Sequence, residues 1–178
     1  MAFFFTADPH FGHENIINLC RRPFKDSDEQ TSQLIANWNS IIGEKDHVFV
    51  LGDFAHRAPK GSLYSIFSSL NGRKSLIKGN HDHSETLSLP WVSHDPNKPQ
   101  LAITDQLTVK INRQPFFLCH YAMRTWPAEH QGAIHLFGHS HGNLPDHNQS
   151  TDVGVDCWNY MPVSALQLQQ KFTAKSKR

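Results

Sequence analysis

The chain has 178 residues, a formal net charge of +1 at pH 7 and a hydrophobic fraction of 38%. A chain of this length can bury one hydrophobic core without disulfide bonds, and its near-neutral charge argues against a broad binding surface for nucleic acid or membranes. The three cysteines show no C-x-x-C spacing, and neither a signal peptide nor a long apolar run is evident, so we expect a cytoplasmic protein. Histidine is the compositional outlier, because its 13 residues are scattered along the chain as in metal or acid–base sites.

Five short apolar runs predict buried strands, because each is too short for a typical helix and is rich in aromatic or β-branched residues. They are 3–7, 48–51, 75–77, 116–119 and 133–137. Helical patterns lie between them, first a short helix at 13–20. A longer helix begins with a capping-box pattern at Ser27 and ends before Gly43, and a third covers 63–70.

After Pro99 the pattern becomes alternating. Segments 101–104 and 107–111 predict a hairpin with its turn at Asp105–Gln106, and 163–168 predicts another strand. The order of elements therefore indicates a single α/β domain with mixed sheets over residues 1–170. Residues 171–178 are basic and polar, and we expect them to form a flexible C-terminal tail.

A side chain of the type that binds metals follows each of the five apolar runs. Because the carboxyl ends of strands in α/β sheets share one edge, we expect these side chains to converge there. They are Asp8, His10, Asp53, Asn80, His120, His139 and His141. Carboxylate, imidazole and amide oxygen suit Zn, Mn or Fe. Seven ligands are too many for one cation that also binds water, and they suit two cations roughly 3.5–4 Å apart with Asp53 as the bridging carboxylate.

The order of the motifs resembles a known family. Asp-x-His, Gly-Asp, Gly-Asn-His-Asp, a lone His and Gly-His-x-His are the signature of the calcineurin-like metallophosphoesterases, and here they span residues 8–141. Residues 8–17 with 22–24 resemble a compact bacterial and phage branch, from which Pro9 is a mild departure. The resemblance implies a four-layer αββα sandwich, in which two mixed β-sheets are flanked by helices.

The resemblance also implies a dinuclear site with two divalent or trivalent ions, drawn from Mn, Zn, Fe, Ni and Co. One ion would be held by Asp8, His10, Asp53 and His141, and the other by Asp53, Asn80, His120 and His139. A hydroxide that bridges the ions would attack phosphorus in line. His81 would protonate the leaving oxygen or hold a phosphoryl oxygen, and Asp82 would fix the tautomer of His81.

Other residues are candidates for binding substrate. Arg22 and Arg124 are assigned to phosphoryl oxygens because a guanidinium fits phosphate bidentately. His13 is expected to cap the following helix or to orient a ligand, with direct substrate binding as the alternative. Trp126 and Trp158 could stack on a nucleobase, although aromatic residues are core residues by default.

The expected function is hydrolysis of a phosphodiester or phosphomonoester of a nucleotide or small molecule. The small size and balanced charge argue against long duplex nucleic acid, and no oligomeric state is assigned. The alternatives within the enzyme class are a protein phosphatase and a nuclease for short single strands. The alternative outside it is a catalytically silent, metal-binding assembly subunit. The family resemblance implies that such subunits lack some of the metal-binding residues, whereas His81 and all seven candidates are present here.

Asp156, near the expected mouth of the site, is predicted to form hydrogen bonds or a turn.

Overall fold

The computed structural model describes residues 1–59 and 61–175 of the chain. The strands are β1 (Phe3–Thr6), β2 (His47–Val50), β3 (Arg73–Ile77), β4 (Ile103–Thr104), β5 (Gln106–Ile111), β6 (Gln114–Cys119), β7 (Ile134–Phe137), β8 (Ser150–Asp152) and β9 (Val163–Ser164). The helices are α1 (Glu14–Leu19), α2 (Ser27–Ile41), α3 (Ser62–Ser69), α4 (Ser84–Leu87) and α5 (Ala165–Lys175). No helix in these two ranges is long and apolar enough to cross a bilayer.

The strands form two mixed sheets, as predicted. The first has the order β4-β3-β2-β1-β9 and the second the order β5-β6-β7-β8. In the first sheet β1 to β4 are parallel and β9 is antiparallel to β1, whereas in the second β6 to β8 are parallel and β5 is antiparallel to β6. The carboxyl ends of β1, β2 and β3 therefore share one edge, as do those of β6 and β7.

The main core lies between the two sheets. Phe5, Phe49 and Leu118 are fully buried there, and the rings of Phe5 and Phe49 stack at 5.4 Å. Helices α2 and α3 cover the outer face of the first sheet through residues such as Trp38 and Phe67. These features confirm the expected sandwich of mixed sheets with helices.

The outer face of the second sheet is covered mainly by the loop at 121–133. Phe117 and Cys119 of β6 face outward and pack against Trp126 and Ala133, and this loop contains a 3-10 turn at Glu129–Gln131. These contacts on the second sheet are therefore made by a loop with a 3-10 turn, whereas those on the first sheet are made by α-helices.

The predicted hairpin at 101–111 was wrong. Strand β4 pairs in parallel with β3, while β5 pairs with β6 in the other sheet, so Asp105 lies where the chain crosses between the sheets. The hairpin turn is at Asn112 and Arg113, which have φ angles of 49° and 70°. Paired positive φ values match the right-handed twist of the flanking strands, and asparagine tolerates this conformation.

The C-terminal region and the start of α2 also differ from expectation. Only Val163–Ser164 is a strand, and α5 then continues to Lys175, five residues into the predicted tail. Lys171 in this helix lies 2.9 Å from both Asp146 Oδ2 and Thr151 Oγ1, so it belongs to the packed domain. Residues 176–178 lie outside the described residues. At the start of α2, Asp26 rather than Ser27 is the cap, and its carboxylate accepts a hydrogen bond from the amide of Glu29 at 2.8 Å.

Candidate metal centre

The predicted ligands lie on unusual backbone turns at the shared edge of the sheets. A left-handed conformation costs a non-glycine residue about 1–2 kcal/mol and is typical of functional turns. Five of the seven candidates adopt it: Asp8, His10, Asp53, His139 and His141, with φ between 47° and 65°. The sharp turns allow one short loop after each strand to direct its side chains toward the same point.

Glycines beside these turns allow the loops to approach each other closely. A Cβ on Gly79 would lie 2.6 Å from the Asp53 amide nitrogen and 2.9 Å from His120 Cε1. A Cβ on Gly138 would lie 2.6 Å from Asp8 Oδ2. All three distances are too short for real contacts, so the glycines that precede Asn80 and His139 permit the arrangement of the site.

Asp8, His10 and His141 form the first cluster, with ligand atoms within 4.8 Å of one another. Asp8 Oδ2 accepts a hydrogen bond from the amide of His139 at 2.8 Å. Within residues 1–59 and 61–175, Asp8 Oδ1 and both ring nitrogens of His10 are buried without a hydrogen-bond partner. Burial raises the pKa of Asp8 well above its usual value and lowers the pKa of His10, because the charged form of each is disfavoured away from water.

Asp53, His120 and His139 form the second cluster, again within 4.8 Å. His120 Nδ1 donates to the Leu51 carbonyl at 2.8 Å, so Nε2 of the neutral ring carries a lone pair. That nitrogen lies 3.1 Å from Asn80 Oδ1 and 3.6 Å from Asp53 Oδ2, which are both acceptors. Three acceptors this close together repel one another unless a positive charge lies between them. The arrangement therefore fits a bound cation.

Asp53 lies between the two clusters. Its Oδ2 is 3.5 Å from His10 Nε2 and 3.6 Å from His120 Nε2, while its Oδ1 accepts from the amide of His81 at 2.8 Å. One oxygen is thus held by the backbone and the other faces both clusters. The unsatisfied buried atoms and the mixed nitrogen and oxygen donors fit metal cations of the Zn, Mn or Fe type.

Arg22 is buried beneath the first cluster, and its assignment to substrate was wrong. Its side chain donates to both oxygens of Asp156 at 2.8 Å and to the carbonyl of Asp8 at 2.9 Å, and it also contacts Pro9 and Gln30. Asp156 accepts a hydrogen bond from His141 Nδ1 at 2.8 Å, which confirms its predicted hydrogen-bonding role. Burial alone would lower the pKa of His141, but hydrogen bonds with Asp156 and Cys20 and the charge of Asp8 raise it to about 10.

Asp82 does not orient His81, so its predicted role was also wrong. Its buried carboxylate accepts from the amides of Asp53 at 2.9 Å, Phe54 at 3.0 Å and Gly79 at 2.8 Å. Asp82 therefore ties the loop after β2 to the loop after β3. Burial is the largest influence on its pKa and raises it, although the three amides act in the opposite direction.

The His81 ring lies at the rim of the first cluster. It is partly exposed, with its centroid 5.6 Å from that of His10 and 4.3 Å from that of His56. A cavity of about 100 Å³ adjoins it, lined in part by His56, Arg57 and His83. The sequence reasoning missed His56 and Arg57, although their position three and four residues after Asp53 was a signal that they share its loop.

The remaining candidates for substrate binding have mixed outcomes. His13 occupies the N-cap position of α1 without a side-chain capping bond, so the capping role was wrong, but its ring lies 5.4 Å from that of His10. Arg124 is exposed on the loop after β6, and its contact with substrate stays a prediction. Trp126 is buried and donates to the Ala133 carbonyl at 2.8 Å, and Trp158 is half-buried beneath the Lys171 ammonium. Trp126 is therefore a core residue.

Comparison with known proteins gives the family. The model of the calcineurin-like phosphoesterases matches residues 1–167. Protein MJ1445 of Methanocaldococcus jannaschii is 31% identical, over 98% of this chain and 92% of that protein. The Gene 66 protein of Mycobacterium phage L5 is 26% identical, over 86% of each chain. The solved structure of AQ665 from Aquifex aeolicus shares the fold with a TM-score of 0.70 at 23% identity, over 95% of this chain and 98% of that one. The chain belongs to the calcineurin-like phosphoesterase family.

Proposed function

We propose that the chain is a hydrolase for a phosphodiester or phosphomonoester of a nucleotide or small molecule, with a site for two metal ions. The position of Asp53 carries this proposal. Its Oδ2 faces His10 at 3.5 Å and His120 at 3.6 Å, so one carboxylate oxygen is shared by the two clusters. A carboxylate shared in this way is typical of dinuclear hydrolytic sites.

Two sets of side chains would hold the ions. The first set is Asp8, His10, Asp53 and His141, and the second is Asp53, Asn80, His120 and His139. Mn, Zn, Fe, Ni and Co are all compatible with these mixed nitrogen and oxygen donors. When bound, such ions supply a water of lowered pKa as nucleophile and neutralise charge on the phosphoryl oxygens.

His81 is the candidate general acid. Its amide donates to Asp53 Oδ1 at 2.8 Å, which fixes its backbone beside the shared carboxylate, and its ring is partly exposed. It can therefore reach a substrate oxygen and transfer a proton to the leaving group. The adjoining cavity of about 100 Å³ leaves space beside the His81 ring for part of a substrate.

The test combines metal content with turnover. Chelator-treated protein is reloaded with Mn or Zn, and elemental analysis is run beside assays with chromogenic monoesters and diesters, cyclic nucleotides, short oligonucleotides and phosphopeptides. We expect two ions per chain and activity in the wild type, but reduced occupancy and no turnover in Asp53→Asn. Asp105→Asn is the control, because Asp105 is exposed and pairs only with Lys78 at 2.7 Å among the contacts of the described residues. Full occupancy and rate in Asp53→Asn would contradict the proposal, and activity confined to phosphopeptides would contradict the small-substrate preference.

A further inference from the structure

Tyr121 is an exposed aromatic residue at the rim of the second cluster. Its ring centroid lies 4.8 Å from that of His139 and 5.0 Å from that of His120, in edge-to-face geometry. Tyr121 is nevertheless 47% exposed. Across residues 1–59 and 61–175, it is the one aromatic residue other than histidine whose ring contacts the ring of a candidate metal ligand.

The loop that begins at Tyr121 is held by hydrogen bonds that involve the buried side chains of His135 and Trp126. His135 in β7 donates through Nδ1 to the Phe117 carbonyl at 3.2 Å, so its Nε2 is free to accept from the amide of Met123 at 3.1 Å. Trp126 donates to the Ala133 carbonyl at 2.8 Å. The chain is thus fixed at His120 on one side of Tyr121 and at Met123 on the other. An aromatic surface held in place in this way loses little conformational freedom when a ligand packs against it.

We propose that Tyr121 determines substrate specificity by packing against a planar aromatic group, such as a nucleobase or aryl ester, on a phosphoester bound at the metal centre. This inference rests on the proposed function. Because Tyr121 contacts rings in the second cluster, an ester group on a phosphate held between the clusters can reach its exposed side. His81 lies on the side of His10 and His56, so the two walls of the site differ in character. One wall offers a group for proton transfer and the other an apolar aromatic surface.

The test measures binding with probes that cannot be hydrolysed. Methylphosphonate and phenylphosphonate are titrated calorimetrically into metal-loaded wild type, Tyr121→Phe and Tyr121→Ala. We expect the wild type and Tyr121→Phe to bind phenylphosphonate about tenfold more tightly than methylphosphonate, a factor that corresponds to ~1.4 kcal/mol. In Tyr121→Ala this preference should fall to about twofold or less, with the affinity for methylphosphonate and the metal content unchanged.

Tyr64→Ala is the matched control, because Tyr64 on α3 is 64% exposed and has no ring contact with a candidate ligand among the described residues. A preference for phenylphosphonate that persists in Tyr121→Ala, or equal affinities in the wild type, would overturn the inference but not the proposed function. An equal loss of both ligands or of metal in Tyr121→Ala would assign Tyr121 to support of His120 and His139 instead. A metal-loaded wild type that binds neither probe would overturn the proposed function and this inference with it.

Discussion

His141 Nδ1 lies 2.8 Å from Asp156 Oδ2, and because the carboxylate can only accept, the imidazole donates this hydrogen bond. Loss of the second ring proton would then leave the Nε2 lone pair available toward Asp8 and His10. Asp156 is itself fixed by two hydrogen bonds from Arg22 at 2.8 Å. A buried chain of contacts from Arg22 through Asp156 therefore sets the tautomer and orientation of His141.

We predict that Asp156→Asn weakens metal binding at the first cluster by about 10–100-fold, the usual effect of losing a carboxylate behind a ligating histidine. The amide can still hydrogen-bond to Arg22 but no longer compensates its charge, so thermal stability should fall as well. Competition with a chromophoric chelator measures the affinity, at a temperature where circular dichroism shows the variant folded. Asp95→Asn is a suitable control on the surface, and an unchanged affinity in Asp156→Asn would show that His141 needs no such support.

The second prediction concerns His81. His81→Ala should keep its metal ions and lose about 10²–10⁴-fold in kcat, the range for a lost general acid. The loss should be larger for an alkyl leaving group than for p-nitrophenolate, which needs little protonation. Steady-state kinetics with both ester types and elemental analysis provide the measurement.

The exposed His130 on the 3-10 turn at Glu129–Gln131 is the matched control for this variant. His130→Ala should match the wild type in both rate and metal content. Loss of metal from His81→Ala would make His81 a structural or ligating residue, and a rate loss independent of the leaving group would remove its role as an acid.

The positions of the candidate ligands were predictable because they depend on strand order alone. Once 3–7, 48–51 and 75–77 are parallel neighbours, Asp8, Asp53 and Asn80 must share an edge. The sequence was less informative about α5, because Val163 to Leu168 alternates like a strand while Leu168 and Phe172 are spaced as one helix face in the core.

Roles that depend on contacts across the fold could not be predicted. Arg22 and Asp156 are 134 residues apart, and nothing near Arg22 in the sequence marks it as a buried partner rather than a phosphate ligand. Asp82 is adjacent to His81, and yet its carboxylate turns toward the amides of Asp53 and Phe54. In both cases the adjacent sequence does not reveal the partner, because a buried ion or carboxylate takes the donors and acceptors that the tertiary structure supplies.

Gly79→Ala provides a test of close packing. The new Cβ would approach Asp53 and His120 far more closely than van der Waals contact allows, so we predict displacement of the shared carboxylate and loss of metal binding. Gly132→Ala is the control, because Gly132 has a φ of +80° but no atom within 4 Å of an added Cβ among the described residues. It should lower the free energy of unfolding by about 1–2 kcal/mol through backbone strain alone and keep its metal. Normal metal affinity in Gly79→Ala would refute the packing argument.

His47, at the opposite end of β2 from the metal centre, should make stability depend on pH. Burial, reinforced by the nearby charges of Arg73 and His94, lowers the pKa of His47 to about 3. Its unfolded pKa is near 6.5, so below that pH the unfolded chain binds a proton that the folded chain does not, and stability falls as pH drops toward 3. Protonation of His47 in the unfolded chain therefore lowers the free energy of unfolding by about 2 kcal/mol at pH 5. His47→Gln keeps a donor for the Ser75 hydroxyl and removes the titratable group. Between pH 7 and pH 5, the free energy of unfolding in urea should therefore decrease by about 2 kcal/mol less in this variant than in the wild type. The exposed His147, changed to Gln, should leave the pH dependence unaltered, and a wild-type slope in His47→Gln would show that His47 is not the group responsible.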